Sequence, residues 1–167
     1  MTTTTSMEGT PPRLGPLARS FLLVGRLVLG GIFLFAAYAK VHFDGQWHLR
    51  DYYFFFAMAI DSYQMLPLWA VEFSARILPW FEFLIGVMLV FGLWVRWAAA
   101  ATTAILAVFF FAVARAYILH LEISCGCFGN NEILTGWTIV RDGCFLALAL
   151  AVTCLAFVAH RRAARSR

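Results

Sequence analysis

The sequence predicts an all-α integral membrane protein, a four-transmembrane-helix bundle with an extracytoplasmic amphipathic helix between spans 1 and 2. Three observations support this fold class. The chain is 62% hydrophobic and 13% charged, which lies outside the usual composition of a water-soluble domain. Four apolar runs approach the ~20 residues that a spanning helix needs. Basic residues flank these runs instead of forming one continuous face, a pattern that excludes a nucleic-acid-binding surface.

The four apolar runs divide the chain into one membrane domain and two short tails. The predicted spans cover residues 20–39, 77–95, 98–119 and 137–159. Residues 1–16, rich in Thr and Pro, are predicted to be a disordered tail, residues 17–160 the membrane domain, and residues 161–167 a basic tail. No separate soluble domain fits in the connecting segments.

The first span has features that bear on its packing and on its identity. Gly25, Gly30 and Gly31 make this helix thin and predict close approach to its neighbours. Arg26 is expected to extend its guanidinium towards the nearer membrane surface. A cleaved signal peptide ending at Ala37-Tyr38-Ala39 is an alternative, but the apolar run is longer than a typical signal-peptide core. We therefore predict a span.

Basic residues beside the spans predict the orientation. Seven of them precede the first span, lie in the second connection or follow the last span: Arg13, Arg19, Arg96, Arg161, Arg162, Arg165 and Arg167. The positive-inside rule then predicts that both termini and the turn near Arg96 are cytoplasmic. The segments 40–76 and 120–136 face outward. We expect a multi-pass protein of the bacterial plasma (inner) membrane.

The outward segment between the first two spans is rich in aromatic residues. Residues 46–60 combine them with His48, Arg50 and Asp51, which predicts a helix in the headgroup layer. Pro67 suits the first turn of a further helix that leads into the second span, with Pro79 kinking the entry. A plain anchor and a platform for a substrate or partner both remain open.

Five ionisable residues are predicted to lie just beneath the outer surface, with all four spans contributing: Lys40, Glu82, Arg115, Arg141 and Asp142. An ionisable residue near the bilayer centre costs about 2.5 to 3.5 kcal/mol on insertion scales, so each one is expected to be paired, hydrated or functional. Two interpretations remain open. The cluster is either an ion-pair network that fixes helix register or a net positive field that serves a reactive anion nearby.

The second outward segment contains a pair of cysteines, Cys125 and Cys127, separated by Gly126. Such a pair can be a redox couple, two halves of different disulfides, or metal ligands. We predict no metal, because a closed zinc site wants four ligands and only His120 is close in sequence. Cys125 and Cys127 lack partners for two separate disulfides, since the other two cysteines, Cys144 and Cys154, lie within the fourth span. Of these, Cys144 is a candidate resolving thiol.

A disulfide within Cys-Gly-Cys closes a very small ring and should store strain. Strained, exposed disulfides have higher potentials and tend to be labile or catalytic. The Arg115 and Arg141 charges, if near, favour the attacking thiolate. We therefore predict that Cys125 and Cys127 are the catalytic residues, with the five ionisable residues in support.

At these residues the sequence resembles the MauE/DoxX family of redox-associated membrane proteins, over about residues 25 to 160. The specific element is Cys125-Gly126-Cys127-Phe128-Gly129. The other matching positions are Trp137, Arg141-Asp142, Lys40, Tyr63 through Pro67, Leu78-Pro79-Trp80, Glu82 and Gly86. The resemblance implies a small helical bundle that works with a thioredoxin-like partner, as in maturation of the disulfide-rich subunit of methylamine dehydrogenase. DoxX-type relatives imply quinone as a candidate electron acceptor, with no residue here that establishes a quinone site.

The leading hypothesis is a membrane thiol-disulfide relay in which Cys125 and Cys127 exchange electrons with an extracytoplasmic thioredoxin-like protein and so support a client protein. The alternative is a non-catalytic assembly subunit of a membrane redox complex, in which the cysteines only pin the loop. A small-solute transporter is a third interpretation, which rests on the intramembrane charges alone. The sequence lacks the inverted repeats that this class commonly shows.

Overall fold

The computed structural model describes residues 15–43, 46–47, 52–121 and 134–165. Cys125 and Cys127 lie outside these described residues. The elements in chain order are α1 Pro16–Val41, β1 His42–Phe43, β2 Gln46–Trp47, α2 Tyr52–Ser62, α3 Leu68–Phe91, α4 Val95–Ile118 and α5 Gly136–Arg165. Helices therefore make up nearly all of the part of the chain that the structure describes.

Four of these helices, α1, α3, α4 and α5, are long and apolar enough to cross a membrane. The shortest have 24 residues, which at 1.5 Å per residue gives about 36 Å, more than the ~30 Å of a bilayer's hydrocarbon core. The four predicted spans are thus confirmed. The helices extend beyond the predicted ends at most termini, because backbone hydrogen bonding continues into flanking polar residues that an apolar run does not include.

The segment between α1 and α3 contains the predicted intervening helix, but with different bounds. The helix was expected over residues 46–60. Instead, His42 and Phe43 pair antiparallel with Trp47 and Gln46, and α2 covers Tyr52–Ser62. His48, Arg50 and Asp51, predicted for the polar face, lie outside the described residues. Helix α2 ends at Ser62, two residues before Gln64, which adopts a left-handed conformation with φ of 49°.

Helix α3 begins nine residues before the predicted second span, at Leu68, with Pro67 as its N-cap. The expected entry helix and the span are therefore one helix, with Pro79 inside it. Its first turns contact α2, where the Arg76 guanidinium lies 4.6 Å from the centre of the Tyr53 ring. This contact fixes α2 against α3.

The connection between α3 and α4 covers residues 92–94, which is one residue longer than the predicted 96–97 and lies earlier in the chain. Gly92 ends α3 in the left-handed region with φ of 73°, a conformation that favours glycine. Trp94 follows with φ of 45°, and α4 begins at Val95. The prediction that Arg96 lies in the turn is wrong, because this residue belongs to the first turn of α4.

The bundle consists of two closely packed pairs, α1 with α3 and α4 with α5. At the first pair the backbones almost touch. A Cβ on Gly30 would lie 3.1 Å from the Gly86 carbonyl oxygen, and a Cβ on Gly86 would lie 2.9 Å from Cγ of Leu34. The shared core includes Leu29 and Phe33 of α1. Helix α1 is thus an integral part of the bundle, which favours a span over a cleaved signal peptide.

Candidate functional site

A buried ion pair joins α1 to α3 near the end of α1. The Lys40 ammonium lies 2.9 Å and 2.8 Å from the two carboxylate oxygens of Glu82, and the two side chains are only 2% and 4% exposed. Lys40 lies in the last turn of α1, where a cation interacts favourably with the helix dipole. The ammonium also lies 5.0 Å from the centre of the Phe56 ring on α2. Three elements therefore converge on one charged group.

A cavity of about 50 Å³ lies beside this ion pair, between the two helix pairs. Its charged lining residues are Lys40, Glu82 and Asp142. The rest of the wall is apolar and includes Phe33, Ala36, Ile105, Leu106, Phe109, Phe110 and Phe145. Its volume exceeds the ~10–15 Å³ needed to hold a water molecule. Size alone therefore admits a water molecule, and the surface that the cavity presents is almost entirely apolar.

The remaining two residues of the predicted charge cluster point elsewhere. Arg141 places its Nε 3.1 Å from Oδ1 of Asp142, the next residue on α5. Arg115 donates a hydrogen bond of 3.2 Å from Nη1 to the backbone carbonyl of Tyr63. Neither arginine lines the cavity. All five residues lie on the membrane-spanning helices as expected, but only Lys40, Glu82 and Asp142 share the cavity.

Two of the four cysteines, Cys144 and Cys154, lie among the described residues. Cys144 and Cys154 are free thiols with exposed side chains on α5, so within the bundle they face outward instead of packing inside. The role of Cys144 as a resolving thiol stays a prediction. The positions and contacts of Cys125 and Cys127 lie outside the described residues.

The chain on both sides of the cysteine segment is anchored in one small apolar cluster. Leu121, which precedes the segment, and Leu134, which follows it, both pack against buried Tyr63, Val113 and Ala116. Tyr63 is also the residue whose carbonyl binds Arg115. The segment therefore leaves and re-enters the described structure at the same end of the bundle as the buried ion pair.

Sequence reasoning missed three contributors to this site. Phe56, read only as part of an aromatic run, is 6% exposed and contacts the Lys40 ammonium. Phe109 and Phe110, which no sequence pattern singled out, both line the charged cavity. The aromatic run carried no periodic signal that could single out Phe56, because five consecutive aromatic residues occupy every face of a helix.

A second cavity, an apolar groove of about 500 Å³, runs between α3 and α4. Tyr63, Phe73, Phe81, Val108 and Phe111 are among its lining residues. Aliphatic and aromatic walls accept any apolar bilayer component and select none of them. The quinone acceptor implied by the sequence resemblance thus stays a prediction, since this groove does not identify its occupant.

Comparison with known proteins agrees with this architecture. A family model described as methylamine utilisation protein MauE matches residues 18–155, a range that covers α1 to α4 and most of α5. No curated protein and no solved structure matches the chain. The matched range includes the ion pair, the charged cavity and the cysteine segment. The chain is a multi-pass membrane protein and belongs to the MauE family.

Proposed function

We propose that this protein is a membrane thiol-disulfide relay, in which Cys125 and Cys127 exchange electrons with an extracytoplasmic thioredoxin-like protein. The relay supports disulfide formation or maturation of a client protein, as in methylamine dehydrogenase maturation. The observation that carries the proposal is the convergence at one end of the bundle of the two anchors of the cysteine segment, the buried ion pair and Arg115.

The anchors limit how far the two sulfurs can be from the bundle. Leu121 and Cys125 are four residues apart, and four residues of fully extended chain span at most about 14 Å. Leu121 itself packs in the cluster that contains Tyr63. Chain length alone therefore keeps Cys125 within about 14 Å of Leu121.

The exchange step is balanced by the two proteins alone. A thiolate of the partner attacks one sulfur of the Cys125–Cys127 disulfide, forms a mixed disulfide and releases the other sulfur as a thiolate. A second partner thiolate then breaks the mixed disulfide. The partner ends as a disulfide, and Cys125 and Cys127 end as thiols that hold its two electrons. The reverse sequence oxidises Cys125 and Cys127 and reduces the partner.

The charges at this end have two roles in the proposal. Arg115 ties the last turn of α4 to the segment after α2 through the Tyr63 carbonyl, which keeps the start of the cysteine segment in place. Its guanidinium is also a fixed positive charge at the end of the bundle from which the cysteine segment starts, and positive charge favours the thiolate form of cysteine. The Lys40–Glu82 pair holds α1 and α3 in register beneath it.

The test is cysteine labelling and trapping in a variant that keeps only two thiols. The chain has four cysteines, so Cys144→Ser with Cys154→Ser leaves Cys125 and Cys127 alone. In intact cells, a membrane-impermeant maleimide should label both sulfurs after reductant and neither after oxidant. Removal of Cys127 as well should then trap a mixed disulfide between Cys125 and a thioredoxin-like protein, identified by mass spectrometry.

Two outcomes contradict the relay. The first is labelling that does not change with redox state, which would mean that the sulfurs do not join and part. The second is full client maturation in a Cys125→Ser, Cys127→Ser variant. If that variant instead loses recovery of a larger complex while client activity persists, the protein is a non-catalytic assembly subunit. The Cys154→Ser protein is the control, because it lacks a sulfur of α5 and keeps Cys144, the candidate resolving thiol.

A further inference from the structure

A cavity of about 470 Å³ with a largely apolar wall and two polar side chains lies at the other end of the bundle, where α3 turns into α4 and α5 ends. Arg96 and His160 supply its polar groups, and Trp94, Trp97, Leu22 and Ala159 contribute to its wall. This cavity is separate from the charged cavity beside Lys40, which lies towards the opposite ends of α1 and α5. Nothing in the proposed relay uses it.

The cationic group of the cavity is held in a defined place. Nη1 of Arg96 lies 3.1 Å from Nδ1 and 3.0 Å from Nε2 of His160. The same guanidinium lies 5.3 Å from the centre of the Trp97 ring. A ring nitrogen that accepts from Arg96 leaves the guanidinium with several other N–H groups, because arginine carries five donors. These donors are available for an anion at the cavity.

A second guanidinium lies under the adjacent turn. A Cβ on Gly92 would lie 2.5 Å from Nη1 of Arg26, so this side chain packs directly against the α3–α4 connection. Its Nε is buried and has no hydrogen-bond partner among the described residues. Arg26 was expected to extend its guanidinium towards the membrane surface. The backbone of the α3–α4 connection at Gly92 covers that guanidinium. The connection between α3 and α4 is positively charged on both sides.

The carboxylates of the described residues lie at the opposite end. They are Asp61 of α2, Glu72 and Glu82 of α3, and Asp142 of α5. Exposed Arg161 and Arg162 follow His160 directly. The described part of this end is therefore basic, with no carboxylate to neutralise Arg96 or Arg26. An anion from outside the chain would meet a positive field from the described residues of this end.

The surroundings of the cavity select a lipid-borne anion. Trp94 and Trp97 are 77% and 56% exposed, and tryptophan is enriched at the level of the lipid headgroups. Leu22 and Ala159 provide an apolar wall beside the charged groups. Basic pockets between transmembrane helices bind anionic headgroups in other membrane proteins. The phosphodiester of a lipid would bind at Arg96, and the acyl chains of the same lipid would lie along the apolar part of the wall.

We propose that the cavity formed by Arg96, His160, Trp94 and Trp97 is a binding site for the headgroup of an anionic phospholipid. The phosphate accepts hydrogen bonds from Arg96, and the two indoles hold the glycerol region at the membrane surface. The lipid thereby links the α3–α4 connection to the end of α5. Its binding stabilises the folded protein, because a ligand of the native state raises the free energy of unfolding.

The experiment compares lipids on the full chain purified in a neutral detergent. Thermal unfolding and native mass spectrometry are followed with added phosphatidylglycerol, with phosphatidylcholine of the same acyl chains, and with inorganic phosphate. We expect phosphatidylglycerol to raise Tm and to stay bound in the spectrometer, with little effect from the other two. Arg96→Gln should weaken phosphatidylglycerol binding about tenfold, the loss of one charge-assisted hydrogen bond. Arg161→Gln is the control, since it removes the same charge one residue after His160.

Equal stabilisation by phosphatidylcholine and phosphatidylglycerol would overturn the proposal. Equal losses in Arg96→Gln and Arg161→Gln would also overturn it, because they would indicate diffuse attraction by the whole basic end. A full effect of inorganic phosphate would assign the site to a soluble anion. If Arg96→Gln fails to fold, Ala159→Phe is the variant that tests the site. Its larger side chain fills the cavity, and every charge is kept. Retained selectivity for phosphatidylglycerol in that variant would refute the site.

Discussion

At the scale of residues, the Lys40–Glu82 pair is a strong constraint on the bundle. Two charges that leave water each incur a desolvation cost of several kcal/mol, and their mutual attraction offsets this cost only at short range with good geometry. Here the ammonium bonds both carboxylate oxygens, at 2.9 Å and 2.8 Å. Removal of one partner should therefore be much worse than removal of both.

This asymmetry predicts the outcome of a double-mutant cycle. Lys40→Met leaves a buried carboxylate without its cation and should lower the free energy of unfolding by about 3–5 kcal/mol. Glu82→Gln should be similarly harmful. The Lys40→Met, Glu82→Gln double variant should lose less than either single variant. Reversible unfolding in mixed micelles measures the three differences.

The control for the cycle is Glu72→Gln on the same helix, because Glu72 is exposed. It should change the free energy of unfolding by less than about 1 kcal/mol. Additive losses for Lys40 and Glu82 would contradict the strength that we assign to the ion pair. A loss in Glu72→Gln as large as that in Glu82→Gln would contradict the importance of burial.

The sequence predicted these charged residues but not their pairing. Spacing along the chain gives the approximate depth of Lys40 or Arg115 in the membrane. It does not give the rotation of one helix relative to another, which decides that Lys40 meets Glu82 while Arg115 reaches a backbone carbonyl. The catalytic assignment of Cys125 and Cys127 rests on sequence, since both lie outside the described residues.

At the scale of elements, the contact of α1 with α3 depends on small residues. Helices in lipid gain little from hydrophobic burial, and their association relies on close van der Waals packing. Gly30 and Gly86 allow that approach, as their added Cβ atoms would lie 3.1 Å from each other's carbonyl oxygens. Gly31, the next residue on α1, has open space at the same position.

Substitution by alanine should have opposite effects at the neighbouring positions Gly30 and Gly31. Gly30→Ala inserts a methyl 2.8 Å from Cγ2 of Val90, which should lower Tm and the yield of folded protein. Gly31→Ala meets nothing within 4 Å, and in a helix interior alanine is favoured over glycine by up to ~1 kcal/mol. It should leave Tm unchanged or raise it. Differential scanning fluorimetry of the two variants in one detergent makes the comparison.

Equal effects of the two alanines would show that the α1–α3 contact is looser than described. The sequence predicted this packing in general terms, because Gly25, Gly30 and Gly31 stand in one apolar run. It could not separate Gly30 from Gly31, which differ only in the face that they present. The helix ends were also beyond prediction by hydropathy, as α3 shows by starting at Leu68.

At the scale of the whole molecule, charge is distributed unequally between the two ends of the bundle. Arg96, Arg161 and Arg162 lie at one end, whereas Asp61 and Glu72 lie at the other. Basic residues near short connections are retained in the cytoplasm. The charge distribution thus predicts that the Lys40–Glu82 end faces the extracytoplasmic space and that the chain ends in the cytoplasm.

Reporter fusions measure this orientation. A green fluorescent protein fused after Arg167 should fluoresce, and alkaline phosphatase at the same position should be inactive. Fusions after Leu121 should give the opposite pair of results, because α4 would have carried the chain across. Phosphatase activity at Arg167 would mean that the bundle has the opposite orientation. The cysteine segment would then lie in the reducing cytosol, where a disulfide relay has no oxidising environment.

The division of the bundle into two helix pairs has a mechanical consequence. Lys40 and Glu82 both belong to the α1–α3 pair, while Asp142 faces the same cavity from the α4–α5 pair. A slight widening of the seam between the pairs would leave the ammonium–carboxylate bonds whole. It would widen the cavity that Lys40 and Glu82 line from one side and Asp142 from the other, so the distance from Asp142 to that ion pair reports how far apart the two halves stand.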